Sequence, residues 1–467
     1  MRSAWLFLLL LPLHAQQYDL VIRNGRVVDP ESHLDAVRNL GISRGTIQTV
    51  STAPLEGRTV IDATGLVVAP GFIDLHCHGQ DAENYRYKAM DGVTSALEME
   101  VGVADVKAWY DKRQGQTLIN YGAAVGHIPV RMLVMHDPGS FLPTGDAAHR
   151  AATEEEIAEC KRRIEQGLMQ GAAGLGMGMH YTPAASRWEI LEMFRVAAHF
   201  GAACFVHLRS AGEESVPALE EVLAASAITD APLHVCHITS NGLRATPRLL
   251  QMIAEAHARK LDVTTELYPY TAAMTAIESA AFDPGWQSAL GIDFHDLQWA
   301  ETGERLTAAS FARYRRIGGA VILHMIPDSA LQAAMASPFA VIASDGALVN
   351  GKGHPRSAGT YARVLGRYVR ETGALSLMEA IRKMSLMPAQ RLQARVPMMR
   401  NKGRIREGAD ADLTLFDPAT VADAATYEQP ARYSIGIRYV LVTGVPVVSD
   451  GRLQAVTPGR AIRAPTP

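Results

Sequence analysis

The stretch Gly71-Phe72-Ile73-Asp74-Leu75-His76-Cys77-His78-Gly79 constrains this chain more than any other. The apolar run from Val67 to Leu75 predicts a buried strand, and side chains of a strand alternate between its two faces. His76 and His78 therefore leave the strand end on the same side, where two neutral imidazoles can grip one divalent metal. Two histidines one residue apart are also an ordinary loop. The fold must bring further ligands to the same place from distant parts of the chain.

At 467 residues the chain is long for a single core and suits a large barrel with a smaller accessory domain. Residues 18–70 read as short alternating strands, with Asn24-Gly25 as a hairpin signal. The same texture returns at residues 411–416 and 439–448, so both chain ends, residues 18–69 and 403–467, are expected to build one small β-sandwich. Between them, over residues 70–402, strand-like runs fall at 94–100, 121–126, 174–178, 203–207, 233–237, 263–267, 320–324 and 340–343. Helical patterns such as 154–170 and 246–259 separate several of them. This alternation predicts an α/β fold, a (β/α)8 TIM-like barrel, whose active site gathers at the carboxyl ends of its strands. Residues 282–316 break the pattern and read as an insertion over the barrel mouth.

A net charge of -3 gives no basis for binding nucleic acid or an acidic membrane surface. Residues 1–17, with Arg2 ahead of an apolar run and Leu13-His14-Ala15 after it, predict a secretory signal cleaved near Ala15. Export to the periplasm or the extracellular space is the corresponding expectation. No later run is long enough to span a bilayer. Cys77, Cys160, Cys204 and Cys236 show no disulfide spacing and read as small buried residues.

His207 closes Cys204-Phe205-Val206-His207, and His237 closes Leu233-His234-Val235-Cys236-His237. Two histidines on successive strand ends extend the ligand set begun by His76 and His78. Alternation places His234 on the face opposite His237. Asp345 follows the apolar run Val341-Ile342-Ala343, where a carboxylate can bind metal and exchange a proton with water. An aspartate before Gly346 is also a common turn residue.

With HxH on the first barrel strand, later single histidines and a late aspartate, the chain resembles the amidohydrolase superfamily. The tail from Gly403 to Leu413 is similar to that superfamily's return into its sandwich. Within it, the D-aminoacylase (N-acyl-D-amino-acid deacylase) family is the most similar. The matching stretches are Gly126-His127, Gly174-Leu175-Gly176-Met177-Gly178, Tyr181-Thr182-Pro183, His207-Leu208-Arg209-Ser210, Tyr268-Pro269-Tyr270-Thr271 and His354-Pro355-Arg356-Ser357.

The resemblance implies a zinc-dependent hydrolase, with one or two ions, that cleaves the amide of a small N-acyl-D-amino acid. His76, His78, His207 and His237 would hold metal, and Asp345 would both ligate it and carry the proton. His127, at the end of another strand, would donate to the substrate or the oxyanion, with a structural role as the alternative. Arg356 would pair with the substrate's free carboxylate, a contact suited to a planar guanidinium. Tyr181 and Tyr268 match pocket tyrosines.

The chain departs from the family on the second strand, Ala96-Leu97-Glu98-Met99-Glu100-Val101-Gly102, which lacks the metal-binding cysteine. No candidate strand ends in a lysine that could be carboxylated. Glu100 is the expected bridging ligand and Glu98 its alternate. The two glutamates and Gly176-Met177-Gly178-Met179-His180-Tyr181 resemble sequences grouped as D-glutamate deacylases. A second carboxylate on the substrate would need a second cation, with Arg209, Arg187 and Arg131 as candidates. A cyclic-amide hydrolase of the dihydroorotase or hydantoinase kind, or an exported dipeptidase, shares the ligand set. A non-catalytic binding protein on the same barrel would have lost ligands that are all present here.

Overall fold

The computed structural model describes residues 17–466, so the expected secretory signal, Gln17 apart, lies outside the described residues. Eight parallel strands form the central sheet: β1 (Phe72–Asp74), β2 (Val93–Val103), β3 (Asn120–Gly126), β4 (Leu175–Gly178), β5 (Cys204–His207), β6 (Leu233–Val235), β7 (Val263–Leu267) and β8 (Ala340–Ile342). Each pairs with its neighbour in chain order. The ring closes just beyond β8 and β1, where Asp345 N donates to His76 O at 2.7 Å and His78 N donates to Gly346 O at 3.0 Å. Ile73, Leu75, Leu97, Met99, Phe205 and Val341 pack together as a buried core cluster. Helices such as Glu154–Met169 and Arg187–His199 connect successive strands, as expected of a (β/α)8 barrel.

The run read as one strand from Val67 to Leu75 is two. Val67–Pro70 joins the sheet of the chain ends, antiparallel to Leu413–Phe416 and parallel to Tyr18–Asp29. The barrel strand starts only at Phe72. Gly71 is the joint, and a Cβ there would sit 2.3 Å from Thr94 Oγ1. Strands from both chain ends build a nine-stranded mixed sheet around Leu20, Ile22, Leu40, Val68, Leu415 and Leu441. The final stretch leaves it. Ile462 N donates to Tyr121 O at 2.7 Å, and Ile462 and Ala464 join Leu392 and Val396 in the cluster that holds Leu97 and Val341.

Ala320–Leu323 is a strand, but not of the barrel. It is the centre of a three-stranded antiparallel sheet with Ala273–Ala276 and Leu297–Trp299. The insertion therefore runs from 273 to 323, wider than 282–316. A four-residue apolar run reports burial and cannot say which sheet it joins. Trp286, Leu290, Trp299 and Tyr314 of the insertion pack into one buried cluster with Val101, Ile128 and Tyr181 of the barrel mouth. Met274 and Leu323 of the inserted sheet share a cleft with His207 and Asp345. No helix of the described residues is long and apolar enough to cross a membrane. All four cysteines are buried and unpaired.

A buried ion pair locks β1 to the segment after β8. Lys88 Nζ lies 3.0 Å from Asp74 Oδ2 and donates to Ser344 Oγ at 2.5 Å. Asp74 Oδ1 accepts from Ser344 N at 3.0 Å and from His76 N at 3.2 Å. Lys88→Met leaves that carboxylate buried without its cation, and the expected loss of unfolding free energy is about 3–5 kcal/mol in chemical denaturation. A loss below about 1 kcal/mol, the range of an exposed pair, would show that the pair does not hold the closure.

Candidate metal centre

The site begins with an irregularity in β2. Its register with β3 shifts between Glu98 and Val103, so β2 bulges over residues 99–102. Neighbouring glycines make room: a Cβ on Gly126 would meet Val101 O at 1.9 Å, and one on Gly176 would meet Glu100 O at 2.3 Å. Glu98 Oε1 accepts from the N–H groups of Val101 and Gly102, both at 3.2 Å, and pins the bulge. Simple alternation puts Glu98 and Glu100 on one face. The bulge gives them different jobs.

Glu100 stands between two histidine pairs. Its Oε2 is 3.2 Å from both His76 Nε2 and His78 Nε2, which are 3.1 Å from each other. Its Oε1 is 2.7 Å from His207 Nδ1 and 3.1 Å from His237 Nε2. Asp345 Oδ1 closes the first pair, 3.4 Å from His76 Nε2 and 3.3 Å from His78 Nε2.

The remaining ring nitrogens fix which atoms face inward. His76 Nδ1 donates to Glu266 Oε1 at 2.5 Å, and His78 Nδ1 donates to Glu98 Oε2 at 2.7 Å. Each Nε2 then faces the centre, the orientation that carboxylates impose on metal-binding histidines. Glu98 is thus a support for His78, and Glu100 is the central carboxylate. Burial would drive the His76 imidazole down in pKa, but Asp345, Glu266 and Glu100 outweigh it and hold it well above its ordinary value. The carboxylates concentrate negative potential where the imidazoles converge. Four imidazoles and two carboxylates with convergent donor atoms fit a divalent ion such as zinc.

Backbone geometry turns two of these residues inward. The strand β6 ends at Val235, and His237 has φ 26°. Alternation therefore fails there, and His234 is not turned away from the site as expected. Its Nε2 pairs with Glu266 Oε2 at 3.0 Å, so Glu266 links His234 to His76. Asp345 has φ 50°, just before Gly346.

Arg356 Nη2 lies 3.0 Å from Asp345 Oδ2, and the guanidinium sits 4.4 Å from the centroid of the Tyr268 ring. Burial would raise the Asp345 carboxyl, but Arg356 and His76 outweigh it and hold it well below the usual carboxylate range. Arg356 Nε and Nη1 are buried without a partner, as is the Tyr268 hydroxyl. Tyr181 lines the same cleft, its hydroxyl accepting from Thr275 Oγ1 at 3.0 Å.

Two expected site residues stand elsewhere. His127 is the first residue of a helix, so strand alternation no longer applies to it. It is buried against the helix Arg187–His199, with Nε2 2.8 Å from Glu189 Oε1. Arg209 is committed to Glu221 at 2.9 and 2.6 Å and to the carbonyls of Pro183 and Ala185. Of the other candidate cations, Arg131 pairs with Glu189, and Arg187 is exposed. Glu266, Asp74 and Lys88 were missed by the sequence reading. Glu266 carries the signal that exposed Glu98 and Glu100: a charged residue inside a barrel strand.

A model described as the amidohydrolase family matches residues 59–246 and 218–448 in two overlapping segments. The N-acyl-D-glutamate deacylase of Alcaligenes xylosoxydans xylosoxydans is 31% identical over 500 residues, covering 96% of this chain and 97% of that protein. The D-aminoacylase of the same organism is 29% identical over 493 residues, covering 96% of this chain and 98% of its own. Among solved structures, the N-acyl-D-glutamate deacylase of Bordetella bronchiseptica, complexed with zinc and a phosphonate mimic of the tetrahedral intermediate, matches with a TM-score of 0.83. That match has 26% identity and covers 96% of this chain and all of that one.

The two glutamates separate experimentally. Glu100→Gln is expected to lower the divalent-metal content of the purified protein. Glu98→Gln is expected to keep the stoichiometry and weaken affinity about 10–100-fold, as loss of a support for a metal-binding histidine does. Equal effects of the two changes on metal content would contradict the division of labour.

Proposed function

Because the chain belongs to the amidohydrolase family, we propose that it is a zinc-dependent hydrolase of N-acyl-D-amino acids, releasing a carboxylate and the free D-amino acid. The observation that carries this reading is the Glu100 carboxylate, each oxygen facing one histidine pair, with Asp345 beside the first. His76, His78, Glu100, His207, His237 and Asp345 would hold the metal, one ion or two. Bound zinc supplies a lowered pKa for water and polarisation of the acyl carbonyl.

The chain's own residues supply the rest. Arg356 holds Asp345 Oδ2, which leaves Oδ1 facing the histidine pair. Oδ1, 3.4 Å from His76 Nε2 and 3.3 Å from His78 Nε2, would take the proton of the attacking water and pass it to the leaving amine nitrogen. The unpartnered Tyr268 hydroxyl is free to donate to the oxygen that becomes negative in the tetrahedral intermediate. That is the role the sequence suggested for His127. The free Nε and Nη1 of Arg356 suit the substrate's α-carboxylate. A hydantoin carries that carbonyl inside its ring and offers no free carboxylate for Arg356. Against dihydroorotate, which keeps one, the linear reading is supported by the N-acyl-D-amino-acid deacylases that match 96% of this chain. The D configuration rests on the relatives. The composition of residues 1–17 supports the further proposal of export, under which the reaction would run in the periplasm or outside the cell.

Asp345→Asn is expected to lower kcat about 10²–10⁴-fold, the usual worth of a positioned proton carrier. The variant should keep most of its metal, and turnover at the parent rate would remove Asp345 from the reaction. Arg356→Met should cut kcat/KM by about a hundredfold or more, within the cost of stripping one partner from a buried charge pair. Chelation should abolish hydrolysis and added zinc restore it. Full activity in a metal-free sample would contradict the reading.

A further inference from the structure

The reaction leaves the amino-acid side chain open. Resting on the reaction proposed above, we infer that the accepted side chain is apolar and that D-glutamate and D-aspartate derivatives are discriminated against.

The cleft beside the histidines extends under the inserted sheet. Ala273, Leu323 and Met325 line it from that sheet and the loop after it, Ala281 and Leu290 from the insertion's short helices, and Ala211 from the loop after β5. Its one threonine, Thr275, is already satisfied by the Tyr181 hydroxyl. His180 also lines the cleft and stacks on His207. Its Nδ1 donates to Arg209 O at 3.2 Å, so its Nε2 presents an acceptor and offers nothing to a carboxylate.

No lysine or arginine is among the described residues lining the cleft. The three arginines that could have met a second carboxylate are not free to do so. Arg209 is saturated by Glu221 and two carbonyls, Arg131 is locked to Glu189, and Arg187 is exposed on its helix. Arg356 carries a single charge, already faced by Asp345, and its two free nitrogens suffice for the α-carboxylate alone. A side-chain carboxylate entering this cleft loses its water and meets no cation, whereas an aliphatic chain meets the methyl and methylene groups of Ala273, Met274, Leu290, Leu323 and Met325.

The test uses the full chain supplied with zinc and compares kcat/KM for N-acetyl-D-leucine and N-acetyl-D-methionine with that for N-acetyl-D-glutamate and N-acetyl-D-aspartate. The apolar pair should be favoured by about a hundredfold or more, the order expected when a polar group is left without its partner. N-acetyl-D-glutamate cleaved as well as N-acetyl-D-leucine would overturn the inference and leave the reaction standing. Cleavage of none of the four would overturn the reaction, and the inference with it. Met325 is only half-buried, so Met325→Arg can place a cation in the cleft wall. In a variant that keeps the parent's Tm and metal content, the ratio of glutamate to leucine derivative should rise about tenfold or more, as a charge pair formed away from bulk water does. An unchanged ratio would count against the cleft as the side-chain site.

Discussion

Glu100 places a carboxylate at the barrel mouth with its side chain only 3% exposed. A charge so far from water persists only where other groups compensate it, and here four imidazoles surround its two oxygens. Burial works against ionisation of Glu100, but the field of His76 and the hydrogen bonds from His207 and His237 outweigh it and hold the carboxyl well below its ordinary range. Much of the surrounding structure serves this placement. The bulge in β2 turns Glu100 inward, Gly126 and Gly176 leave space for the bulge, and Glu98 anchors it while orienting His78.

The other half of the site depends on closing the barrel. Asp74, Lys88 and Ser344 join β1 to the segment after β8, and that junction brings Asp345 against His76 and His78. His237 and Asp345 reach the centre from backbones at positive φ, a conformation costing of order 1–3 kcal/mol each. Packing and closure sustain that strain, so this site is built on the barrel's rigid frame. The inserted sheet then roofs the centre with apolar side chains.

The barrel was legible because its strands alternate with helices, and the ligands because they fall at strand ends. His76, His78, His207, His237 and Asp345 converge as their positions implied, and Glu100 is the central carboxylate. Apart from the strand Ala320–Leu323, which joins another sheet, the misplacements along the strands fall where a strand stops. Gly71 splits the first apolar run between two sheets, β6 ends before His237 and misplaces His234, and β3 ends at Gly126 and misplaces His127. Alternation is a rule about continuous strands and carries no information past their ends. Arg209 was mistaken for a different reason. Its saturation comes from Glu221 and two carbonyls, partners that only the folded chain brings together.

Diffraction at the zinc absorption edge from zinc-loaded crystals tests the shared carboxylate most directly. The expected result is anomalous density between the histidine pairs His76–His78 and His207–His237, with a Glu100 oxygen at a ligand distance of about 2.0–2.2 Å. Density ligated by Glu98 in its place, or lying away from both histidine pairs, would contradict the account.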